Sequence, residues 1–382
     1  MKITGIICEY NPFHLGHQKQ FNLLRQQYGE DCAIVCLMSG NFVQRGAPAV
    51  FDRSVRAAAA AACGADLVLE LPVTYALSSA EGFAAGGVRI LSQMCDSLCF
   101  GTENGSTDTL MDTARALLAP GFPETLRQQL ATGISFPAAR QAALEAMGAD
   151  TGLLRCANDI LAVEYCKAIL SQGSALEPLP IRREGSYHDG TPDPENPSAT
   201  SLRQLLLSGS PWQSFVPEPA RQHFENAPIH DLSYGEQAIL YRLKTMTDEA
   251  FEALPYGSEG LWRKLMRASR SCATLERIIA ATKSKRYAYT RLSRMIICAF
   301  LGITASDLQE TPPYVRVLAF RERGRTVLKQ AREQGLFPHI GEAMDSPYWA
   351  LEQRCDRIYP LFALQPQEAP ILPTDRRVWI QP

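Results

Sequence analysis

Short apolar runs alternate with stretches of helical periodicity over the first hundred residues of the chain. Four of the runs have the length and composition of buried β-strands: Ile3–Cys8, Ala33–Met38, Asp66–Leu71 and Ser97–Phe100. Three stretches between them have the spacing of α-helices: Leu15–Tyr28, Asp52–Cys63 and Ser79–Met94. Because strands alternate with helices, we predict a parallel sheet with helices on both faces.

Helical periodicity dominates the rest of the chain. It extends through residues 107–173 and resumes at Ser198–Leu207, after an expected returning strand at Leu176–Arg183 and a loop at Gly185–Pro197. Four more helices are predicted further on: Tyr234–Met246, Gly260–Ser269, Thr274–Lys283 and Tyr289–Phe300. After Asp345 the pattern is poorly periodic, so no element is predicted there.

Four prolines in the segment Pro211–Pro228 mark the predicted domain boundary. The expected fold class is therefore α/β: residues 1–210 form a Rossmann-like, parallel-sheet domain, and residues 229–382 form a mainly α-helical region. Ligands of such sheets bind beyond the carboxyl ends of the strands. We expect a functional site there, built from His14, His17, residues 39–45 and residues 101–103.

The composition is that of a globular protein, with 46% hydrophobic and 20% charged residues and a net charge of −2. The 11 cysteines include no Cys-x-x-Cys pair, so we expect neither a disulfide framework nor a zinc site but free thiols in a reducing cytoplasm. No signal peptide is evident, and no run of about 18 apolar residues would span a membrane. We therefore expect a cytoplasmic protein without a membrane partner.

Two histidines follow the first predicted strand, in the sequence His14-Leu15-Gly16-His17. Their three-residue spacing puts both imidazoles on one side of the first helical turn. The N–H groups of a helix start attract phosphate, and Gly16 has no Cβ to hinder its approach. The motif predicts a nucleotide triphosphate whose α-phosphate is attacked while the histidines stabilise the departing pyrophosphate. Two chance histidines near a turn are the alternative, and the preceding strand and Asn-Pro-Phe argue against it.

A second candidate cluster lies at Ser198-Ala199-Thr200-Ser201-Leu202-Arg203. Its hydroxyls cap a predicted helix and are available to phosphate, and Arg203 lies one turn further on, where it can pair with phosphate oxygens. Alone, the pattern fits an ordinary helix cap with a surface arginine. Together with the histidine motif it favours a phosphate site, with His14, His17, Thr200 and Arg203 as catalytic candidates.

These motifs together resemble those of the HIGH superfamily of nucleotidylyltransferases. Longer strings narrow the resemblance to the tRNA(Met) cytidine acetate ligase family. They occur in order along the chain, at Gly5–His17, Met38–Gly46, Phe100–Glu103, Ala157–Leu161, Tyr187–Asp189 and Thr282–Tyr287.

The resemblance implies a two-step reaction. ATP activates acetate as acetyl-adenylate with release of pyrophosphate, and the acetyl group then passes to the 4-amino group of the wobble cytidine of elongator tRNA(Met). Acetate as the acyl donor comes from the resemblance, since nothing in the sequence sizes the acyl pocket.

The resemblance also implies the residues that contact ATP. They are Ile7, Tyr10, Asn11, Pro12, Phe13, Gly16, Gln20, Gly101 and Asn158. A further arginine precedes the Tyr-His-Asp motif, and Arg182 and Arg183 are both candidates for it. Mg²⁺ is expected with the triphosphate, held by few protein ligands. Glu9 and Glu103 are either metal or ribose contacts or structural residues, so no metal ligand is assigned.

The segment Leu261–Phe300 has ten Lys and Arg residues and one Glu, a local charge of +9. Tyrosine and tryptophan side chains lie among them, and this combination suits a phosphate backbone and unstacked bases. The candidates for RNA binding are Lys283, Lys285, Arg286, Arg291 and Arg294. A solvated basic face is the alternative, but residues 283–286 interrupt helical periodicity like a loop presented to a ligand.

Two other functions share part of these features. A small-molecule adenylyltransferase of the same superfamily would have the histidine motif but gives no reason for the basic segment. A non-catalytic, ATP-responsive RNA-binding protein would have no need of the intact His14, His17, Thr200 and Arg203.

Overall fold

The structure is a computed structural model that describes residues 1–29, 31–182, 193, 196–284, 287–333, 346–365, 367–368 and 379–380. These described ranges contain nine strands: β1 (Lys2–Cys8), β2 (Cys32–Ser39), β3 (Phe42–Val43), β4 (Ala47–Pro48), β5 (Leu67–Leu71), β6 (Ser97–Thr102), β7 (Glu177–Arg182), β8 (Val317–Phe320) and β9 (Trp379–Ile380).

Seven of these strands form one sheet in the order β7-β6-β1-β2-β5-β8-β9. The five strands from β7 to β5 are parallel, as predicted, and β8 is antiparallel to β5. Strands β3 and β4 form a separate two-stranded hairpin. The sheet centre is β2, whose eight residues are all buried because both faces are covered.

Nine helices lie in the part of the first 210 residues that the structure describes: α1 (Leu15–Tyr28), α2 (Arg53–Ala62), α3 (Val73–Ala76), α4 (Ala80–Leu91), α5 (Thr107–Leu118), α6 (Phe122–Ala131), α7 (Phe136–Ala146), α8 (Ala157–Ser171) and α9 (Ala199–Ser208). They cover the two faces of the sheet. On one face Ala33, Val35 and Leu37 pack with α4 and α8. On the other, Ile34 and Cys36 pack with α1, α2 and α9. The alternation follows from the two-residue period of a strand.

The described residues beyond position 210 form eight further helices: α10 (Glu218–Phe224), α11 (Glu236–Thr245), α12 (Asp248–Glu252), α13 (Leu261–Ser271), α14 (Leu275–Thr282), α15 (Tyr289–Leu301), α16 (Glu322–Glu333) and α17 (Pro347–Ile358). Apolar side chains from α11 to α15 and from α17 form a third core, which Phe42 and Leu77 of the sheet domain join. The mainly helical character predicted for this region is confirmed. In the described part of the chain, no helix is long and apolar enough to cross a membrane.

Two expectations for the end of the chain were wrong or incomplete. Helix α17 lies where no element was predicted, although Ser346 caps it and Pro347 occupies its first turn. Strand β8 was missed because four residues are too few to show a periodic hydrophobic pattern. Its pairing with β5 also depends on contacts distant in sequence. Through β8 the chain returns to the first sheet. The division into residues 1–210 and 229–382 stays a prediction.

Candidate active site

A cavity of about 420 Å³ opens at the carboxyl ends of β1 and β6, beside the β3–β4 hairpin that follows β2. This is the edge of the sheet where the sequence predicted a site. Ten of the predicted catalytic and ATP-contacting residues line it: Ile7, Tyr10, Asn11, His14, His17, Gln20, Gly101, Asn158, Thr200 and Arg203. The structure therefore brings the histidine motif and the Ser-Thr-Arg cluster into one site.

The two histidines cap helix α1 reciprocally. The backbone N–H of Gly16 donates to Nδ1 of His14 at 3.1 Å, and the backbone N–H of His14 donates to Nδ1 of His17 at 3.2 Å. Since both Nδ1 atoms accept, the hydrogen-bond network assigns the proton of each neutral ring to Nε2. The rings stack with their centroids 3.7 Å apart, so the two Nε2–H donors come from adjacent positions.

Aromatic side chains hold this histidine pair in place. Tyr10 packs edge-on against His17, with ring centroids 4.8 Å apart, and Phe13 packs against both of them. Phe13 is fully buried and, like Pro12 and Gly16, is not part of the cavity lining. These three predicted ATP contacts therefore shape the turn that presents the histidines.

The structure assigns Gly16 a different reason for being glycine. A Cβ at this position would lie 3.0 Å from Cε1 of His14. The missing side chain makes room for the imidazole that caps the helix. The reason expected from the sequence was instead that a glycine lets phosphate approach the backbone.

Arg203 links the two motifs. Its Nη1 donates to the main-chain carbonyl of Asn11 at 2.8 Å, and its Nη2 donates to Oγ1 of Thr200 at 3.1 Å. The helix that carries it begins at Ser198, whose hydroxyl accepts the N–H of Ser201. Burial lowers the pKa of Arg203. A partly buried cation that two neighbours orient is a strong ligand for phosphate oxygens.

The other end of the cavity is formed by β6 and helix α8. Asn158 donates from Nδ2 to Oε1 of Glu103 at 2.5 Å, and Oε2 of Glu103 accepts the backbone N–H of Asp159 at 3.1 Å. Glu103 thus caps α8 and fixes Asn158, which supports the structural alternative for this residue. Gln20 donates to Sγ of Cys99 at 3.2 Å.

Ligand atoms of Glu103, Cys156 and Asp159 lie within 4.8 Å of one another. The Asp159 carboxylate accepts the backbone N–H groups of Glu103 and Asn104 as well as side-chain donors. Because N–H groups already occupy these oxygens, we assign the cluster to helix capping. It is not a metal site.

Of the two alternative arginines, the structure describes only Arg182. Arg182 ends β7, pairs with Thr102 in the ladder, is exposed, and is not among the residues that line the cavity. Arg183 lies outside the described residues, as do Tyr187, His188 and Asp189 of the motif that follows it. Which arginine contacts ATP stays open.

The predicted RNA-binding residues differ in exposure. Lys283 is exposed, whereas Lys285 and Arg286 lie outside the described residues. Arg291 is half-buried and donates to the carbonyl of Tyr256 at 2.8 Å. Arg294 is 9% exposed, donates to the carbonyl of Gln44 at 3.1 Å and packs over the Tyr256 ring. Its burial argues against the predicted RNA contact and gives it an internal role.

Several residues that contribute to this site had no role in the sequence argument. Arg56 is fully buried and donates to the carbonyls of Glu9, Ser39 and Gly40, so it ties the ends of β1 and β2 together beneath the cavity. Arg45 lies at the tip of the β3–β4 hairpin and lines the cavity. Arg45 belongs to the Met38–Gly46 string that carried the resemblance, and that string was the available signal.

Comparisons with known proteins agree with this geometry. A family model described as HIGH Nucleotidyl Transferase matches residues 1–370. The chain is 34% identical over 373 residues to a Clostridium acetobutylicum protein named tRNA(Met) cytidine acetate ligase, covering 92% of each chain. It is 36% identical to the Clostridium novyi protein of the same name, covering 88% of this chain and 89% of that protein.

Two solved structures of Thermotoga maritima TmcAL are similar to the whole fold. The apo form has a TM-score of 0.88 at 28% identity and covers 96% of both chains. A form bound with alpha-thio ATP has a TM-score of 0.84 at 28% identity, covering 96% of this chain and 95% of that one.

Proposed function

Because the chain belongs to the HIGH nucleotidyl transferases and, among them, to the tRNA(Met) cytidine acetate ligases, we propose that it acetylates the wobble cytidine of elongator tRNA(Met) with acetate and ATP. The product is N4-acetylcytidine, with AMP and pyrophosphate released. We infer a cytoplasmic location from this proposed tRNA substrate.

One observation carries the proposal. Arg203 reaches back across 192 residues of sequence to the carbonyl of Asn11, beside the stacked His14 and His17, and it also donates to Oγ1 of Thr200. Four donor side chains therefore converge on one wall of the cavity. Such convergence of donors in a partly buried site suits a triphosphate whose charge shifts during reaction.

In the first step a carboxylate oxygen of acetate bonds to the α-phosphorus of ATP. The bond from that phosphorus to the oxygen bridging it to the β-phosphorus breaks, and pyrophosphate leaves with the electron pair. Acetate is already anionic, so the step needs orientation and charge neutralisation rather than a base. The Nε2–H groups of His14 and His17 donate to the leaving pyrophosphate, and Arg203 holds the phosphate oxygens.

Mg²⁺ fits this site with few protein ligands, because it keeps most of its coordination for phosphate oxygens and water. Glu9 lines the cavity, and one of its oxygens accepts the N–H of Gln44 at 2.8 Å. Its other oxygen would hold the ion. The bound ion would neutralise charge on the triphosphate.

In the second step the 4-amino nitrogen of cytidine bonds to the acyl carbon, and the bond from that carbon to the AMP oxygen breaks. AMP leaves with the electron pair, and the amine loses one proton. Delocalisation of its lone pair into the ring makes this amine a poor nucleophile. Activation of the acetyl group as a mixed anhydride with AMP compensates for this. The base must leave its stack to reach the cavity, which is easiest in a single-stranded loop.

The RNA surface that we propose consists of the exposed basic residues of α13 and the segment after α14. Arg263, Lys264 and Arg267 are exposed on α13, and Lys264 donates to the carbonyl of the exposed Lys283 at 3.2 Å. This contact joins the two parts into one continuous basic surface. Non-specific contacts of this kind bind the phosphate backbone and leave the base free to enter the cavity.

The test is an incubation of the full chain with ¹⁴C-acetate, ATP and bulk tRNA. Label is expected in one elongator tRNA species, at a nucleoside that co-migrates with N4-acetylcytidine. ATP consumption without labelled RNA would contradict the proposal, and a labelled small-molecule dinucleotide would favour an adenylyltransferase instead.

A further inference from the structure

We propose that Arg45 is a substrate-binding residue that receives the carboxylate of the acyl donor. The inference rests on the proposed function and deepens it, because it names the acyl-donor side of the cavity. Arg45 lies at the tip of the β3–β4 hairpin, between Val43 and Ala47, and lines the cavity at its mouth.

The order of the strands separates the two sides of the site. Strands β6 and β2 flank β1 on opposite sides, and His14 and His17 follow β1. Gly101 of β6 and Asn158 therefore lie on one side of the histidines. The hairpin that follows β2 lies on the other side. If the nucleoside occupies the β6 side, the group that attacks the α-phosphate enters from the hairpin.

The charge of Arg45 is available to a ligand. The side chain is exposed, and among the residues that the structure describes no acceptor lies within hydrogen-bond distance of its guanidinium. Its charge still reaches the catalytic arginine: burial lowers the pKa of Arg203, the Glu9 carboxylate raises it, and the positive charge of Arg45 lowers it. Two like charges that act on each other across a cavity favour an anion between them.

The hairpin holds Arg45 in a fixed place. The N–H of Gln44 donates to Oε1 of Glu9 at 2.8 Å, and the carbonyl of Gln44 accepts from Arg294 at 3.1 Å. Gly46 turns the chain with φ +76°, and its N–H donates to the carbonyl of Val43 at 2.9 Å. The backbone on each side of Arg45 is thus anchored, which limits where its guanidinium can lie and lowers the entropic cost of binding an anion.

The chemistry requires a cation at this point. A carboxylate that attacks an α-phosphate approaches a group of its own charge, and a guanidinium can donate to both. Val43, Ala47 and Pro48 line the cavity beside Arg45 and give the methyl group of a short acyl chain an apolar wall. Arg45 therefore positions the carboxylate, and its neighbours limit the chain behind it.

The experiment is acetate-dependent exchange of pyrophosphate into ATP, measured without tRNA for the wild type, Arg45→Gln and Arg45→Lys. For Arg45→Gln we expect the KM for acetate to rise about 10- to 100-fold, as for the loss of a charge-assisted hydrogen bond. The KM for ATP should stay within about threefold, because the phosphates keep Arg203 and the histidines. Arg45→Lys keeps the charge but lacks the planar guanidinium, so its KM for acetate should lie between those of the wild type and Arg45→Gln.

Arg115→Gln is the matched control, since this exposed arginine of α5 loses the same charge away from the cavity. An unchanged acetate KM in Arg45→Gln would overturn the inference. An equal rise in the KM for ATP would also overturn it, because Arg45 would then be a triphosphate ligand. A defect confined to acetyl transfer to tRNA would overturn it as well. A wild-type chain that shows no acetate-dependent exchange would instead contradict the proposed function itself.

Discussion

Arg294 of the basic helix α15 donates from Nη1 to the main-chain carbonyl of Gln44, at the tip of the hairpin that walls the cavity. The same helix packs directly on the hairpin, because the backbone of Ser293 and Arg294 occupies the space of a Cβ on Gly46. The helical region and the nucleotide cavity therefore share a rigid contact. A change in the position of α15 would move the hairpin that carries Arg45.

Gly46→Ala should break this contact. The new Cβ would lie 2.3 Å from the backbone nitrogen of Arg294, and the residue would hold φ +76°. The clash adds to the cost of the left-handed backbone, so we expect about 2–4 kcal/mol of destabilisation in urea unfolding.

The control for Gly46→Ala is Gly173→Ala. This glycine also has a positive φ, of +60°, and nothing lies within 4 Å of a Cβ there. Gly173→Ala should lower the free energy of unfolding by about 1 kcal/mol, the cost of the left-handed backbone alone. Equal losses of stability in the two variants would show that α15 does not press on the hairpin.

His17→Ala should slow acetyl-adenylate formation strongly. It removes an Nε2–H donor to the leaving pyrophosphate, and we expect the kcat for pyrophosphate exchange to fall about 10²- to 10³-fold. Affinity for tRNA should stay within a few-fold, because the basic surface is unchanged.

His17 also accepts the N–H of His14, so a structural loss must be separated from a catalytic one. In His17→Asn the shorter side chain can still accept that N–H but has no donor at the position of Nε2. Thermal stability near that of the wild type combined with lost exchange would support a catalytic role. Retained exchange in His17→Asn would rule out the proposed donor.

Arg203→Lys is expected to lower activity although it keeps the charge. A lysine ammonium has no planar fork with which to hold the carbonyl of Asn11, Thr200 and a phosphate oxygen together. We expect kcat/KM for ATP to fall by at least tenfold in the exchange assay, with the melting temperature close to that of the wild type. Wild-type kinetics in this variant would mean that Arg203 only fixes the Asn11 turn.

The sequence was most informative where a local pattern fixes local structure. Helix α1 begins and ends at Leu15 and Tyr28, as predicted, because its cap and its apolar spacing lie within the segment itself. The site was predictable for the same reason, since strand ends in a parallel sheet meet at one edge.

What the sequence did not show depends on contacts distant along the chain. A fully buried arginine such as Arg56 looks like a surface residue until the carbonyls of Glu9 and Ser39 are found around it. Arg294 was grouped with the RNA-binding residues because charge is visible in a sequence and burial is not. The hairpin tip with Arg45 forms part of the site only because α15 and Glu9 hold it there.

Glu70 makes the stability of the fold depend on pH. The buried Glu70 and Glu352 and the partly buried Asp356 surround Arg53 and Arg316, so three carboxylates share two guanidiniums. Burial raises the pKa of Glu70 to about 7. A folded-state pKa above the unfolded value favours folding at low pH, and this contribution is lost as the pH rises through 7.

Glu70→Gln removes that titration. The stability of the variant relative to the wild type should therefore improve between pH 5 and pH 8, on the order of 3 kcal/mol in urea unfolding. Glu81→Gln is a suitable control, because Glu81 is an exposed carboxylate in an ion pair with Lys167. A stability difference that does not change with pH would mean that Glu70 is ionised throughout.

The last prediction concerns the basic surface and the salt dependence of tRNA binding. Replacing Lys283, Lys285 and Arg286 with glutamine should weaken binding and reduce the slope of log K against log salt by about 2, if each residue contacts one phosphate of a single-stranded loop. Pyrophosphate exchange without tRNA should be unaffected, because none of the three belongs to the described lining of the cavity.

A triple variant of Arg115, Arg127 and Lys329 loses the same charge from exposed positions outside the basic segment. It should bind tRNA with nearly the wild-type slope, since long-range attraction is screened beyond about 8–10 Å at physiological salt. If the two triple variants lose affinity equally, net charge rather than a local surface binds the tRNA. If neither loses affinity, the RNA lies elsewhere on the protein, and the contact between Lys264 and Lys283 has only a structural role.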